Sequence, residues 1–159
     1  MLDALRRFVR ELGISPAASA AGTDDSRLSV AALLYHAIAV DGFVTEEEAD
    51  RIRAVLKQHF GIDDNEAASL VAAGKVADLE AIDLYKFTST LKHRLDYAGR
   101  LAVVAMLWEV VFADGHLHEF EDNVVWRVAE LLGIAPRDRI ALKKSATRGR
   151  ISATDDPPA

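Results

Sequence analysis

Along most of the chain apolar residues recur every three or four positions, the spacing of one face of an α-helix. Leu2, Leu5, Phe8, Val9 and Leu12 form one such face, with Arg6, Arg7 and Arg10 off it, which predicts an amphipathic helix from Leu2 to Leu12. The next stretch, GISPAASAAGTDDS at 13–26, is small, polar and aperiodic and reads as a flexible linker. An apolar-rich helix from Leu28 to Val40 follows and is broken by Asp41-Gly42. The pattern resumes from Thr45 to Phe60, with Ala49, Ile52, Val55, Leu56 and Phe60 at helical spacing and Gly61 as the stop. Asp63, with Glu66 three positions on, reads as the cap of a short helix from Asp64 to about Ala73, and GKVADLE at 74–80 as a connector. Further helices are predicted over 83–95, from the cap Asp96 to Ala113, over 119–132 with Gly133 closing it, and from Pro136 to about Ala146. No stretch shows strand alternation. The fold class is therefore all-α: a tethered helix and linker over 1–26, one helical domain over 27–146, and a disordered tail over 147–159.

Two parts of this pattern repeat. AVDGFVTEEEADRI at 39–52 aligns with FADGHLHEFEDNVV at 112–125, an offset of 73. At that offset Val30 matches Val103, Leu34 matches Leu107, Tyr35 matches Trp108, Asp41 matches Asp114, Gly42 matches Gly115 and Glu48 matches Glu121. With the register shifted by one residue, to an offset of 72, FGI at 60–62 answers LGI at 132–134. Each copy is an apolar helix, an Asp-Gly corner and an acidic start of a second helix. A repeat this long predicts two pseudo-symmetric helical hairpins around one core.

Composition narrows the function without naming it. Half of the residues are hydrophobic and 28% are charged, enough for a buried core and a charged surface. A formal charge of −6 disfavours bulk phosphate binding, so no nucleic acid partner is expected. With no cysteine there is no disulfide, no thiolate metal site and no Cys nucleophile. The arginines of MLDALRRFVREL lie inside its apolar pattern, unlike a signal peptide, and the reading is cytoplasmic. The apolar stretch 28–40 contains His36 and falls well short of the ~20 residues of a membrane span.

The Asp-Gly corners carry the candidate chemistry. Asp41, Gly42, Val44 and Glu48 stand as in the second half of an EF-hand calcium loop, but Ala37 and Ala39 occupy positions that should supply earlier oxygens. Helix-end physics explains part of the pattern. Thr45 and Glu48 form a T-x-x-E capping box, and Glu46, Glu47 and Glu48 suit a helix N-terminus. The second copy has His118 in place of Thr45 and keeps both Asp114 and Glu121. A corner that brings together residues seven apart offers Asp41 with Glu48 and Asp114 with Glu121. These four carboxylates are hard donors suited to Ca²⁺, Mg²⁺ or Mn²⁺.

Residues 83–134 resemble the tellurite-resistance protein B (TerB) family. The likeness lies in the Asp-x-Tyr-x-Phe start at 83–87, Leu-Trp-Glu at 107–109 before Ala-Asp-Gly at 113–115, and Val-Ala-x-Leu-Leu-Gly at 128–133. The first repeat, 28–62, matches more loosely. The resemblance implies an all-helical fold of two pseudo-symmetric halves and an acidic divalent-metal site on Asp41, Glu48, Asp114 and Glu121. It also implies a stress-response role, tellurite and other oxyanion resistance included, as an assembly or sensing module near membranes.

Other constellations are weaker. His116 and His118 could bind zinc or nickel but read as solvent-facing; His36 and His93 have no histidine partner one turn away. Glu109 reads as the partner of an arginine such as Arg100 or Arg127 rather than a further ligand. Trp108, Tyr35, Phe87 and Phe112 read as core aromatics, and the basic run RDRIALKKSATRGR as a solvated face. There is no G-x-S-x-G elbow, no glycine-rich phosphate loop and no Glu-x-x-His pair. The expectation is a non-enzymatic scaffold or sensor with protein partners, a homo-oligomer among them, and with residues 2–12 docked on protein or on an anionic membrane surface. One rival makes the acids structural caps of an interaction domain; the other is a carboxylate-bridged metal hydrolase.

Overall fold

The structure is a computed structural model that describes residues 24–39, 42–112 and 119–154, with 24, 25 and 147–154 described as backbone only. The described residues form seven helices and no strand. In chain order these are α1 (Asp24–Ile38), α2 (Glu46–Phe60), α3 (Asp64–Glu80), α4 (Tyr85–Arg94), α5 (Tyr97–Val111), α6 (Glu119–Leu131) and α7 (Pro136–Thr154). The all-α expectation holds. The expected helix at 2–12 and most of the linker lie outside the described residues.

Two helices make the centre because their middle stretches are apolar on nearly every side. In α5 every residue from Leu101 to Val111 is buried, and in α1 Val30 to Leu34, Ala37 and Ile38 are. α1 packs on α2, α3, α4, α5 and α6, while α5 packs on α1, α2, α6 and α7. The shell helices turn one apolar stripe inward, as with Ile52, Val55, Leu56 and Phe60 of α2 and Val125, Val128 and Ala129 of α6. Trp108 and Phe112 stack with ring centroids 5.3 Å apart inside this core, and Phe87 is buried with them, as their pattern predicted.

The sequence's helix ends are largely where the capping residues put them. Asp63 accepts the N–H of Glu66 at 2.8 Å, and Asp96 accepts that of Gly99 at 2.8 Å. Gly61 and Gly133 take left-handed φ values of 64° and 74°. Three boundaries differ. The first helix starts at Asp24, inside the expected linker, and buries Ser26 and Ser29. The last runs to Thr154, so 147–154, expected as tail, is helical.

The third difference is the largest: the helix expected to end near Ala73 continues to Glu80, straight through Gly74. A glycine costs a helix interior ~1 kcal/mol relative to alanine, and it reads as a break. Here it is a contact. A Cβ on Gly74 would sit 2.8 Å from the backbone carbon of Ala31, so its absence lets α3 lie directly on α1.

Candidate functional site

The first Asp-Gly corner joins α1 to α2. Gly42 has φ +88°, a value glycine adopts without strain, and its N–H donates to the Ala39 carbonyl at 2.9 Å. Val44 turns inward against the core while Phe43 points out. At the start of α2 the capping box is complete: the Glu48 N–H donates to Thr45 Oγ1 at 3.1 Å, and Glu48 Oε1 accepts the Thr45 N–H at 3.1 Å. Glu48 thus has a structural use with one of its two carboxylate oxygens.

At the second corner Glu121 occupies the first turn of α6 and is buried, at 9% exposure, whereas Glu119 beside it is exposed. Its neighbour Asp122 forms an ion pair with Lys143 of α7 at 2.8 Å. The remaining two expected ligands, Asp41 and Asp114, lie outside the described residues, as do His116 and His118. Among the described residues no three acids or histidines gather around one point. The two described candidates, Glu48 and Glu121, are carboxylates at the first turns of α2 and α6, the donor type that Ca²⁺, Mg²⁺ and Mn²⁺ take.

Beyond the corners the structure corrects one pairing. Glu109 does not meet an arginine. Its carboxylate lies 3.2 and 3.1 Å from His59 Nε2, inside the core between α5 and α2. Arg100 instead donates to the Leu132 carbonyl at 2.7 Å and tops the end of α6. Glu109 stood out in the sequence as the single acid of an apolar helix, but its partner is 50 residues away on another helix and had no local signal. His36 similarly pairs with Asp78 of α3 at 2.8 Å.

The basic run of α7 is less free than its composition suggests. Lys143 Nζ lies 5.8 Å from the ring centres of both Trp108 and Trp126, and Arg139 stacks 5.7 Å from Trp126. These cations close the outer side of α5 and α6. Nearby, the Tyr97 hydroxyl donates to Asp138 and accepts the Ala135 N–H at 3.1 Å, which ties the start of α5 to the start of α7. Partial burial, then the hydrogen bond to Asp138, pushes the Tyr97 phenol above its ordinary 10.0.

Comparison with known proteins adds one finding. The family model described as tellurite resistance protein TerB matches residues 27–144, which is nearly all of the helical domain. No curated protein and no solved structure matches the chain. No helix among the described residues is long and apolar enough to cross a membrane.

Proposed function

Because the chain belongs to the TerB family, we propose that it is a non-enzymatic stress-response module that binds a divalent cation. The ligands are the paired acids of the two corners, Asp41 with Glu48 and Asp114 with Glu121. The observation that carries this reading is the recurrence of one spacing, Asp-Gly-x-apolar-x-x-x-Glu, at 41–48 and 114–121. A helix cap alone does not call for an Asp at both corners, because other short polar residues turn a chain as well. Four hard oxygen donors in a chain without cysteine favour Ca²⁺, Mg²⁺ or Mn²⁺ over zinc. The family's name connects the module to tellurite resistance, and a role in tellurite or other oxyanion stress is part of the proposal. Protein partners then read the bound state as scaffold or sensor.

A second reading is favoured by the capping box itself. Glu48 is already engaged by the Thr45 N–H, which supports a protein-interaction domain whose acids are caps and corner residues.

Thermal unfolding separates the two. After chelator treatment, Ca²⁺, Mg²⁺ or Mn²⁺ is added back to the wild type and to the Asp41→Asn/Asp114→Asn variant. A cation that binds the native state alone adds ~2.7 kcal/mol of stability at a hundred times its dissociation constant. A rise in Tm with one metal, absent from the double variant, supports the cation site. The same Tm with and without every metal sinks it and leaves the interaction domain.

A further inference from the structure

An open groove of about 830 Å³ runs between the end of α1, the end of α3, the 81–84 loop and α6. Its rim carries large apolar side chains turned to solvent: Ile82 fully exposed, Leu79 at 72%, Phe120 at 70% and Tyr85 at 65%. Apolar residues scattered singly over a surface need no explanation, but four around one concavity mark a contact site. The charged groups beside them are mainly acidic. Asp83 lines the groove, and the exposed Glu80 and Glu119 adjoin Leu79 and Phe120 in sequence, against Arg127 and the exposed Lys86 beside Tyr85, while Asp78 and His36 are paired with each other.

We propose that the occupant is the chain's own N-terminal segment, Leu2–Leu12. Its pattern puts five apolar residues on one face, and on the other side Arg6, Arg7 and Arg10 outnumber Asp3 and Glu11, a net positive side that complements an apolar groove with an acidic rim. The tether reaches. From Asp24 to the groove is roughly the length of α1, about 22 Å for its fifteen residues. Residues 13–23 span up to about 36–40 Å when extended. As a flexible coil the same residues have a root-mean-square span of about 17–20 Å, close to the distance required. A linker matched to its span holds its segment at an effective concentration on the order of mM, so even a weak helix-in-groove contact is populated. Docking uses none of the corner acids, so it stands or falls separately from the cation site.

The absence of cysteine makes the test direct in the full chain. A nitroxide attached at Arg7→Cys, off the apolar face, broadens amide resonances near the docked segment. The expected result is a severalfold loss of intensity at Ile82 and Asn123, independent of protein concentration. That loss disappears in Phe8→Asp, which breaks the segment's apolar face, and in Leu79→Asp, which charges an exposed rim position without touching the core. Unchanged intensities at Ile82 and Asn123, or a loss that survives Phe8→Asp, overturn the proposal. Broadening carried only between labelled and unlabelled chains in a mixed sample overturns it in favour of a second copy. No broadening in solution, with the label immobilised on anionic vesicles, overturns it in favour of a membrane surface.

Discussion

His59 Nε2 lies 3.1 Å from Glu109 Oε2 with both side chains almost wholly withdrawn from water, 4% and 2% exposed. This contact pins α2 to the buried 101–111 stretch of α5, where Glu109 is the one charged residue. Deleting one member of such a pair leaves the other desolvated without its partner, a cost well above the net value of the bond. Glu109→Ala is therefore expected to lose about 3 kcal/mol of stability, and Glu109→Gln, which keeps an acceptor near His59, about half of that. Urea unfolding checks both, with a lowered midpoint at unchanged slope. Equal stability of wild type and Glu109→Ala would show that the pair contributes nothing to the fold.

Gly74 opposes two rules against each other. Helix propensity predicts that Gly74→Ala gains about 1 kcal/mol in α3. The 2.8 Å approach to the Ala31 backbone predicts that the methyl forces α3 off α1, at a cost of about 1–3 kcal/mol. The clash is with backbone, which cannot rotate away, so the net outcome is destabilisation. Thermal and urea unfolding read the sign directly. A more stable variant would mean that the α1–α3 contact yields easily.

The corner at Thr45 separates a cap from a ligand. Thr45→Ala removes the hydroxyl that accepts the Glu48 N–H and is expected to lose about 1 kcal/mol without any metal present. Glu48→Gln keeps an oxygen for the Thr45 N–H, since glutamine also serves in a capping box, and leaves metal-free stability nearly unchanged. If Glu48 is a cation ligand, the same variant loses the metal-dependent rise in Tm. A full metal response in Glu48→Gln would restrict Glu48 to its capping role.

Tyr97 predicts a pH dependence at the alkaline end. Its phenol titrates above 10.0 in the folded protein, because burial and the bond to Asp138 favour the neutral form. An acid whose pKa rises on folding stabilises fully below its unfolded value, and that stabilisation disappears as pH climbs through the folded one. Tyr97→Phe should thus lie below wild type in Tm by a constant amount at neutral pH, for two lost hydrogen bonds on the order of 1 kcal/mol in sum. Above about pH 10 the gap should narrow as the wild-type phenol ionises. A gap that is flat across that range would remove Tyr97 from the alkaline transition.

Local physics determined most of what the sequence revealed. Asp63, Asp96, Thr45 with Glu48, Gly61 and Gly133 act within a few residues of themselves, so their spacing alone placed the helix ends. The apolar run of α1 and the core aromatics Trp108 and Phe112 of α5 and its end likewise pointed inward, because an apolar stretch does not stay in water. The same local reading isolated Glu48 and Glu121 at the first turns of their helices, and the family likeness it suggested is the one the family model matches over 27–144.

What needed the tertiary structure was every relation between residues far apart in the chain. Gly74 reads as a helix breaker until Ala31 is seen beneath it. Glu109 reads as an arginine's partner until α2 delivers His59. Arg139 and Lys143 read as a free basic face until Trp126 and Trp108 are seen beneath them. The groove between α1, α3 and α6 has no sequence signature, since its apolar rim comes from separate segments, each unexceptional alone. Spacing along a helix is set by the backbone's own period, whereas the meeting of two helices is set by how the whole core packs.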